Sequence, residues 1–355
     1  MTGRIRDVRT LTGIMAVTGL LAIGLVTWAG SVQAGEEDAA TITCPGLGRT
    51  VTILLTLTEP GQNGGPGPIN CMTTLLDNSV RWAGKDVPGM RVLVIRDDNH
   101  NWEWMADTGA IYVTLVSLGY DVSLRDEPSE GVTYEEIAGY DVVLLSNPGW
   151  PVDDPTTVQS LQSFYNEGGG VILQGDDMAN NAGVAALAGL AFVDNGTDYF
   201  GHWTDGMAGD FYTVKITIDH AVTAGLEGVS FSYGDDIDGT RAVYATPLAQ
   251  AAIEDHPSKP AIAVREAPVT IGGLITCKEQ CFAKGYIDNK GVAQSLDQKL
   301  NAAKAAIDRN QRETAINILQ AFINELKAQS GKHVSPRCAY LLTVYAERLI
   351  ELLSY

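Results

Sequence analysis

Three short apolar runs constrain this chain more than any other feature: Val92-Leu93-Val94-Ile95, Val142-Val143-Leu144-Leu145 and Val171-Ile172-Leu173. None alternates apolar with polar residues, and helix-length segments separate them. A strand that is apolar on both faces needs both faces covered, which is the condition of a parallel sheet between helical layers. The intervening sequence fits that reading. A helix is expected over 104–118, closed by Gly119, and a further strand over 120–124. Thr133 with Glu136 has the spacing of a capping box, and a helix is expected over 154–166. Gly168-Gly169-Gly170 then turns the chain into the run that ends Gln174-Gly175-Asp176-Asp177.

Upstream, Arg4, Arg6 and Arg9 precede an apolar stretch over 11–29, and Val32-Gln33-Ala34 has the small-residue pattern of a signal-peptidase site. Residues 1–34 are therefore expected to be a cleaved signal peptide, with an uncleaved anchor as the alternative, and the mature chain to be secreted, periplasmic or at the cell surface. About 320 residues remain, enough for one large domain and a small one. The formal charge is −19, and removing three leader arginines and Asp7 takes it to about −21. That charge argues against nucleic acid and anionic membrane surfaces as partners. No membrane insertion is expected after cleavage.

Residues 35–90 form a lead-in, with a strand expected over 49–57, a Gly/Pro loop over 61–68 and a helix over 70–83. Beyond Ala179 the rhythm changes to shorter strands over 214–218, 242–245 and 261–264. From 277 onward the sequence is helical. Leu296, Leu300, Ala303 and Ile307 share one face, as do Ile316, Leu319, Phe322, Ile323 and Leu326, and then Leu341, Leu342, Tyr345, Leu349 and Leu352. A bundle of three amphipathic helices follows. The five cysteines of an oxidised chain suggest two disulfides and one thiol. Cys44 with Cys71, and one of Cys277 or Cys281 with Cys338, are the expected pairs.

The order of parts over 91–272 resembles the class I glutamine amidotransferase-like superfamily, in particular its trehalose-utilisation-like relatives. The resemblance rests on the opening strand, the helix ending Leu118-Gly119-Tyr120, Tyr140-Asp141-Val142-Val143-Leu144, Gly168-Gly169-Gly170-Val171-Ile172-Leu173, and Asp219-His220-Ala221-Val222-Thr223-Ala224-Gly225-Leu226. It implies a flavodoxin-like sheet. In amidotransferases the elbow after the strand carries a cysteine that a downstream histidine activates. Here the elbow reads Gly175-Asp176-Asp177, so the triad is not carried over and His220 has no thiol to serve. Relatives end with an Asn-x-x-x-Trp phrase, which here stands near the N-terminus as Asn78 and Trp82. A circularly permuted arrangement is expected, in which residues 49–83 complete the sheet. Residues 273–355 resemble the FIMAH domain through Gly285-Tyr286-Ile287, Leu296, Leu300, Ala303, Ala315, Leu319-Gln320-Ala321-Phe322 and Val334-Ser335. That resemblance implies an accessory role outside the cell.

Ligands of open α/β sheets bind beyond the C-terminal strand ends. There the sequence gathers Asp97, Asp98, His100 and Trp102, then Asn147 and Trp150, then Asp176 and Asp177. Carboxylates beside aromatic rings suit a sugar: the acids accept hydroxyl protons and indole faces stack on C–H surfaces. The same residues equally serve as helix caps and edge covers. Asp235, Asp236 and Asp238 supply alternating oxygens, a candidate Ca²⁺ loop lacking the distal Glu of an EF-hand. The expected function is non-catalytic recognition of a glycan or protein partner. The alternatives are an unusual hydrolase using Asp176, Asp177 and His100 or His220, and a structural surface protein.

Overall fold

A computed structural model describes residues 42–54, 69–96, 105–146, 155–174, 182–192, 212–227, 230–231, 240–253 and 256–355. The apolar runs form β2 (Arg91–Arg96), β4 (Val142–Ser146) and β5 (Gly170–Gln174), every residue of β4 and β5 being buried. β3 (Asp121–Asp126) lies outside β2 at the edge of the sheet, and none of its residues is fully buried. β1 (Arg49–Ile53) runs parallel to β5 on one side and antiparallel to β11 (His256–Glu266) on the other. Ile53 thus stands in the same sheet as Val94, opposite Gln174 and Ile262.

The whole sheet has nine strands in the order β3-β2-β4-β5-β1-β11-β10-β7-β8. Its first five members are parallel. The antiparallel extension comprises β11, β10 (Thr246–Ile253), β7 (Tyr212–Ile216) and β8 (Ser230–Phe231). β6 (Leu190–Phe192) and β9 (Thr240–Ala242) pair separately. This half differs from the three short strands expected after residue 179. Of the expected strand 242–245 only Ala242 is in a strand, as the end of β9, while 243–245 form a bend before β10, and β11 is much longer than 261–264. Antiparallel partners satisfy the backbone here, so Ala- and Pro-containing segments become strands without long apolar runs.

Helices α1 (Ile69–Ala83) and α2 (Met105–Ser117) pack on each other, while α3 (Tyr134–Ile137), α4 (Pro155–Asn166) and α5 (Ala182–Ala188) form a second group. β1→β2 and β2→β3 move one way across the sheet, whereas β3→β4 and β4→β5 move the other way. Right-handed crossovers therefore place the two helix groups on opposite faces. The α/β class with helices on both faces is the expected one.

The C-terminal region has four helices where three were expected: α6 (Ile271–Ala283), α7 (Lys290–Asp308), α8 (Arg312–Gln329) and α9 (Pro336–Ser354). α6 begins Ile271-Gly272-Gly273, and its buried stripe of Leu274, Cys277, Lys278 and Cys281 holds a single aliphatic side chain, so the sequence does not mark it as an amphipathic helix. Its start is held by Thr270, whose side chain accepts from the Gly273 amide at 3.0 Å. Only residues 267–270 separate β11 from α6.

The helical core is shared with the N-terminal segment, because Ile42, Cys44, Leu47 and Val87 pack among Leu274, Phe322 and Leu342. Cys44 is disulfide-bonded to Cys277. The expected Cys44–Cys71 pair is therefore incorrect: the segment carrying Cys44 lies against α6, and its side chain is buried there. Tyr345 of α9 is buried and donates its hydroxyl to Pro45 O at 2.6 Å, while accepting from the Thr270 amide at 3.3 Å. A Cβ at Gly273 would stand 2.0 Å from that hydroxyl, so the position admits no side chain without movement of Tyr345. Tyr345→Phe leaves two main-chain groups short of a partner, and urea titration should show a loss of about 1–3 kcal/mol at unchanged m.

Candidate functional site

β2, β4 and β5 are adjacent, parallel and in register, so Arg96, Ser146 and Gln174 form one row at their C-terminal ends. Neighbouring strands lie about 4.8 Å apart, and three loops therefore leave from nearly one point. The predicted residues follow that row directly: Asp97, Asp98, His100 and Trp102 after β2, Asn147 and Trp150 after β4, Asp176 and Asp177 after β5. These eight side chains lie outside the described residues, as do Asp235, Asp236 and Asp238 of the candidate Ca²⁺ loop. Among the described residues no three His, Cys, Asp or Glu side chains are grouped as a metal centre.

The chain steps outward from β2 to β3 and then back across to β4, so the crevice between β2 and β4 is the topological switch point. Its floor is polar. Thr108 of α2 donates to Ser146 Oγ at 3.1 Å, and Ser146 donates to Gln174 Oε1 at 3.0 Å, all three being buried. A buried polar row costs desolvation, which its hydrogen bonds offset while fixing each side chain in one geometry. Sequence reasoning missed this row. The available signal was that two apolar runs each end in a residue with hydrogen-bonding capacity.

His220 lies elsewhere. Its Nδ1 accepts from the Val222 amide at 3.2 Å, capping the turn Ala221–Thr223, and its ring meets Trp82 edge-on at 5.0 Å. Asn78 donates to Val222 O and Ala224 O at 3.2 and 2.9 Å. Asn78 and Trp82 of α1 thus grip the His220 segment. The carbonyl of Trp82 accepts from Arg49, which is paired in β1 with Gly170, the first residue of β5. His220 consequently stands at the N-terminal edge of the sheet, and the Asp176 elbow follows the opposite end of β5. Burial holds its pKa below the usual histidine value, favouring the neutral ring that caps the turn.

The same N-terminal edge carries the most unusual polar cluster in the described chain. A cleft between the sheet and α9 is lined by Thr43, Lys85, Tyr134, Asp141, Glu167 and Arg337. Asp141 accepts from the Arg91 amide and forms a close ion pair with Arg337. Glu167 accepts from the hydroxyls of Tyr134 and Thr43. Lys85 is buried and donates to Gly168 O at 2.8 Å and Ala83 O at 3.0 Å. Its φ of 61° is left-handed, a strained conformation for a residue with a side chain, and Asp86 follows at 52°. Within the cluster each charged group thus has a partner, and the arrangement serves to join the helical region to the sheet. Nothing in the sequence marked it, because Lys85 sits in what reads as an ordinary turn.

Residues 274–351 match the FIMAH domain and form this region of the chain. No curated protein matches the sequence. Among the described residues no helix is long and apolar enough to cross a membrane.

Proposed function

We propose that this chain is an exported, non-catalytic recognition module that binds a glycan beyond the C-terminal ends of β2, β4 and β5. The observation that carries this reading is the buried Thr108–Ser146–Gln174 row, which underlies three adjacent loop origins at the switch point of the sheet. The loops themselves are rich in what saccharides require: Trp102 and Trp150 for stacking, Asp97, Asp98, Asp176 and Asp177 for hydroxyl protons, with Asn147 and His100 beside them. The sheet region is read as a glutamine amidotransferase-like domain without its nucleophile, and β1 and α1 as the permuted piece bearing the Asn78 and Trp82 phrase. That phrase and the His220 segment bond to each other, which supports the reading. Residues 1–34 are read as the export signal, and the FIMAH domain as an accessory module. Ca²⁺ at Asp235, Asp236 and Asp238 belongs to the same proposal.

The hydrolase alternative loses one of its candidate bases, since His220 stands at the far edge of the sheet. The test is thermal unfolding of the chain against a panel of oligosaccharides, with and without Ca²⁺. A ligand at a hundred times its Kd adds about 2.7 kcal/mol to native stability, a rise of several degrees. A saccharide-specific rise that Trp102→Ala or Trp150→Ala removes is the expected result. No rise with any saccharide would overturn the glycan reading and leave a protein partner for the same loops.

A further inference from the structure

Helix α6 carries two cysteines one turn apart, and both are fully buried. Cys277 faces the sheet region and is bonded to Cys44. Cys281 and Cys338 of α9 are both fully buried thiols of one apolar cluster, and the neighbouring Cys281 thiol raises the pKa of Cys338. The two helices are held in register around this pair by main-chain pairing. The Tyr286 amide donates to Cys281 O at 2.9 Å, and the Ser335 amide donates to Tyr286 O at 2.8 Å. Ile287 and Val334 form an antiparallel bridge, and the Asp288 amide donates to His333 O at 3.1 Å. Ser335 then caps α9, accepting from the Cys338 amide itself at 3.2 Å. Both ends of the Cys281–Cys338 pair are therefore fixed by hydrogen bonds close to each cysteine.

We infer that Cys281 and Cys338 form a second disulfide, so that α6 is covalently tied on one turn to the sheet region and on the next to α9. Folding in the presence of a small-molecule disulfide such as oxidised glutathione supplies the oxidant. The Cys281 thiolate attacks one glutathione sulfur, forming a mixed disulfide and releasing one glutathione thiolate. The Cys338 thiolate then attacks the Cys281 sulfur and releases the second. The two protein thiols lose two protons and two electrons, and one glutathione disulfide becomes two thiols. The bond forms while the helices are docking, because in the folded, reduced chain both sulfurs are shielded from reagents. The neighbouring Cys281 thiol and burial also keep the Cys338 thiol protonated.

The test takes the full chain reduced in denaturant and refolds it in a glutathione redox buffer. It is then denatured without reductant, its free thiols are alkylated, and the peptides are mapped. The expected result is a Cys281–Cys338 linked peptide beside Cys44–Cys277, with alkylation confined to Cys71. Alkylation of both Cys281 and Cys338 in chains that contain the Cys44–Cys277 bond would overturn the inference, and so would a link from either to Cys71. The double variant Cys281→Ala/Cys338→Ala is the control: it should retain the Cys44–Cys277 peptide and lack the second. A native chain refolded without oxidant should leave both thiols unlabelled until denaturant is added.

Discussion

Cys44→Ala is expected to lower the unfolding free energy by about 5 kcal/mol, and the melting temperature by roughly 10 °C. The bond joins residues 233 positions apart, so it closes a loop of well over half the chain. Loop-closure entropy grows only with the logarithm of length, which is why the figure is little above that for a loop of about 100 residues. The native arrangement should survive the loss. Tyr345 still bonds Pro45 O, and Arg348 still donates to Gly46 O and Ala267 O at 3.2 and 3.3 Å. Reductant should therefore cost the parent at least as much, since it also opens the inferred Cys281–Cys338 bond, and should add little to a chain carrying Cys44→Ala, Cys281→Ala and Cys338→Ala together. A parent whose unfolding midpoint ignores reductant would sink this prediction.

Stability should also rise between pH 7 and pH 9 by about 2–3 kcal/mol, and Lys85 is the cause. Its amine is buried near Arg49, Arg337 and Arg348. Burial first and those cations next lower its pKa from 10.5 to about 7, against the attraction of Asp141. In the unfolded chain the amine keeps its ordinary value. Between pH 7 and 10.5 the unfolded state thus holds a proton that the folded state does not, so raising the pH favours folding. Below pH 7 both states are protonated and this contribution is constant. A neutral amine has two N–H groups, which matches its two acceptors, Ala83 O and Gly168 O. His220 acts in a lower window, since its depressed pKa costs stability only as pH falls below about 6.5. Urea midpoints measured for the parent and Lys85→Met decide the matter. The variant should lose the slope between pH 7 and 9, and an equal slope in both would assign it to other groups.

Much of the sheet was legible because buried parallel strands leave a compositional mark. Val142 to Leu145 and Val171 to Leu173 can hardly be anything else once helices flank them. β10 left no such mark and β11 only over 261–264, because the rest of these strands is poor in Val, Ile and Leu and owes its place to main-chain pairing with antiparallel neighbours. Pro257 and Pro260 within β11 further disguised it. Helices α7, α8 and α9 were legible from their apolar faces, but α6 was not, since its buried stripe of Leu274, Cys277, Lys278 and Cys281 holds a single aliphatic side chain. The expected partner of Cys44 was wrong for a different reason. Cys44 and Cys71 are close in sequence, whereas the fold turns the segment around Cys44 towards α6. At the candidate site the loop residues were readable by type, while the Thr108–Ser146–Gln174 floor depended on a strand register that no local pattern contains. Lys85 is the extreme case, an ordinary turn lysine until Gly168 and α9 enclose it.

β1 is completed early in synthesis, yet it hydrogen-bonds on both sides to segments made much later, β5 and β11. A ribosome must reach Glu266 before the strand has both partners. Until then a buried centre-strand sequence, Thr50-Val51-Thr52-Ile53, has at least one open edge, the condition under which partly made chains associate. Contacts of such long sequence separation also slow folding, because the intervening chain must be ordered before they form. The first of the described strands is therefore among the last to be seated, and a chain terminated before β11 leaves β1 in the middle of the sheet with one edge unpaired.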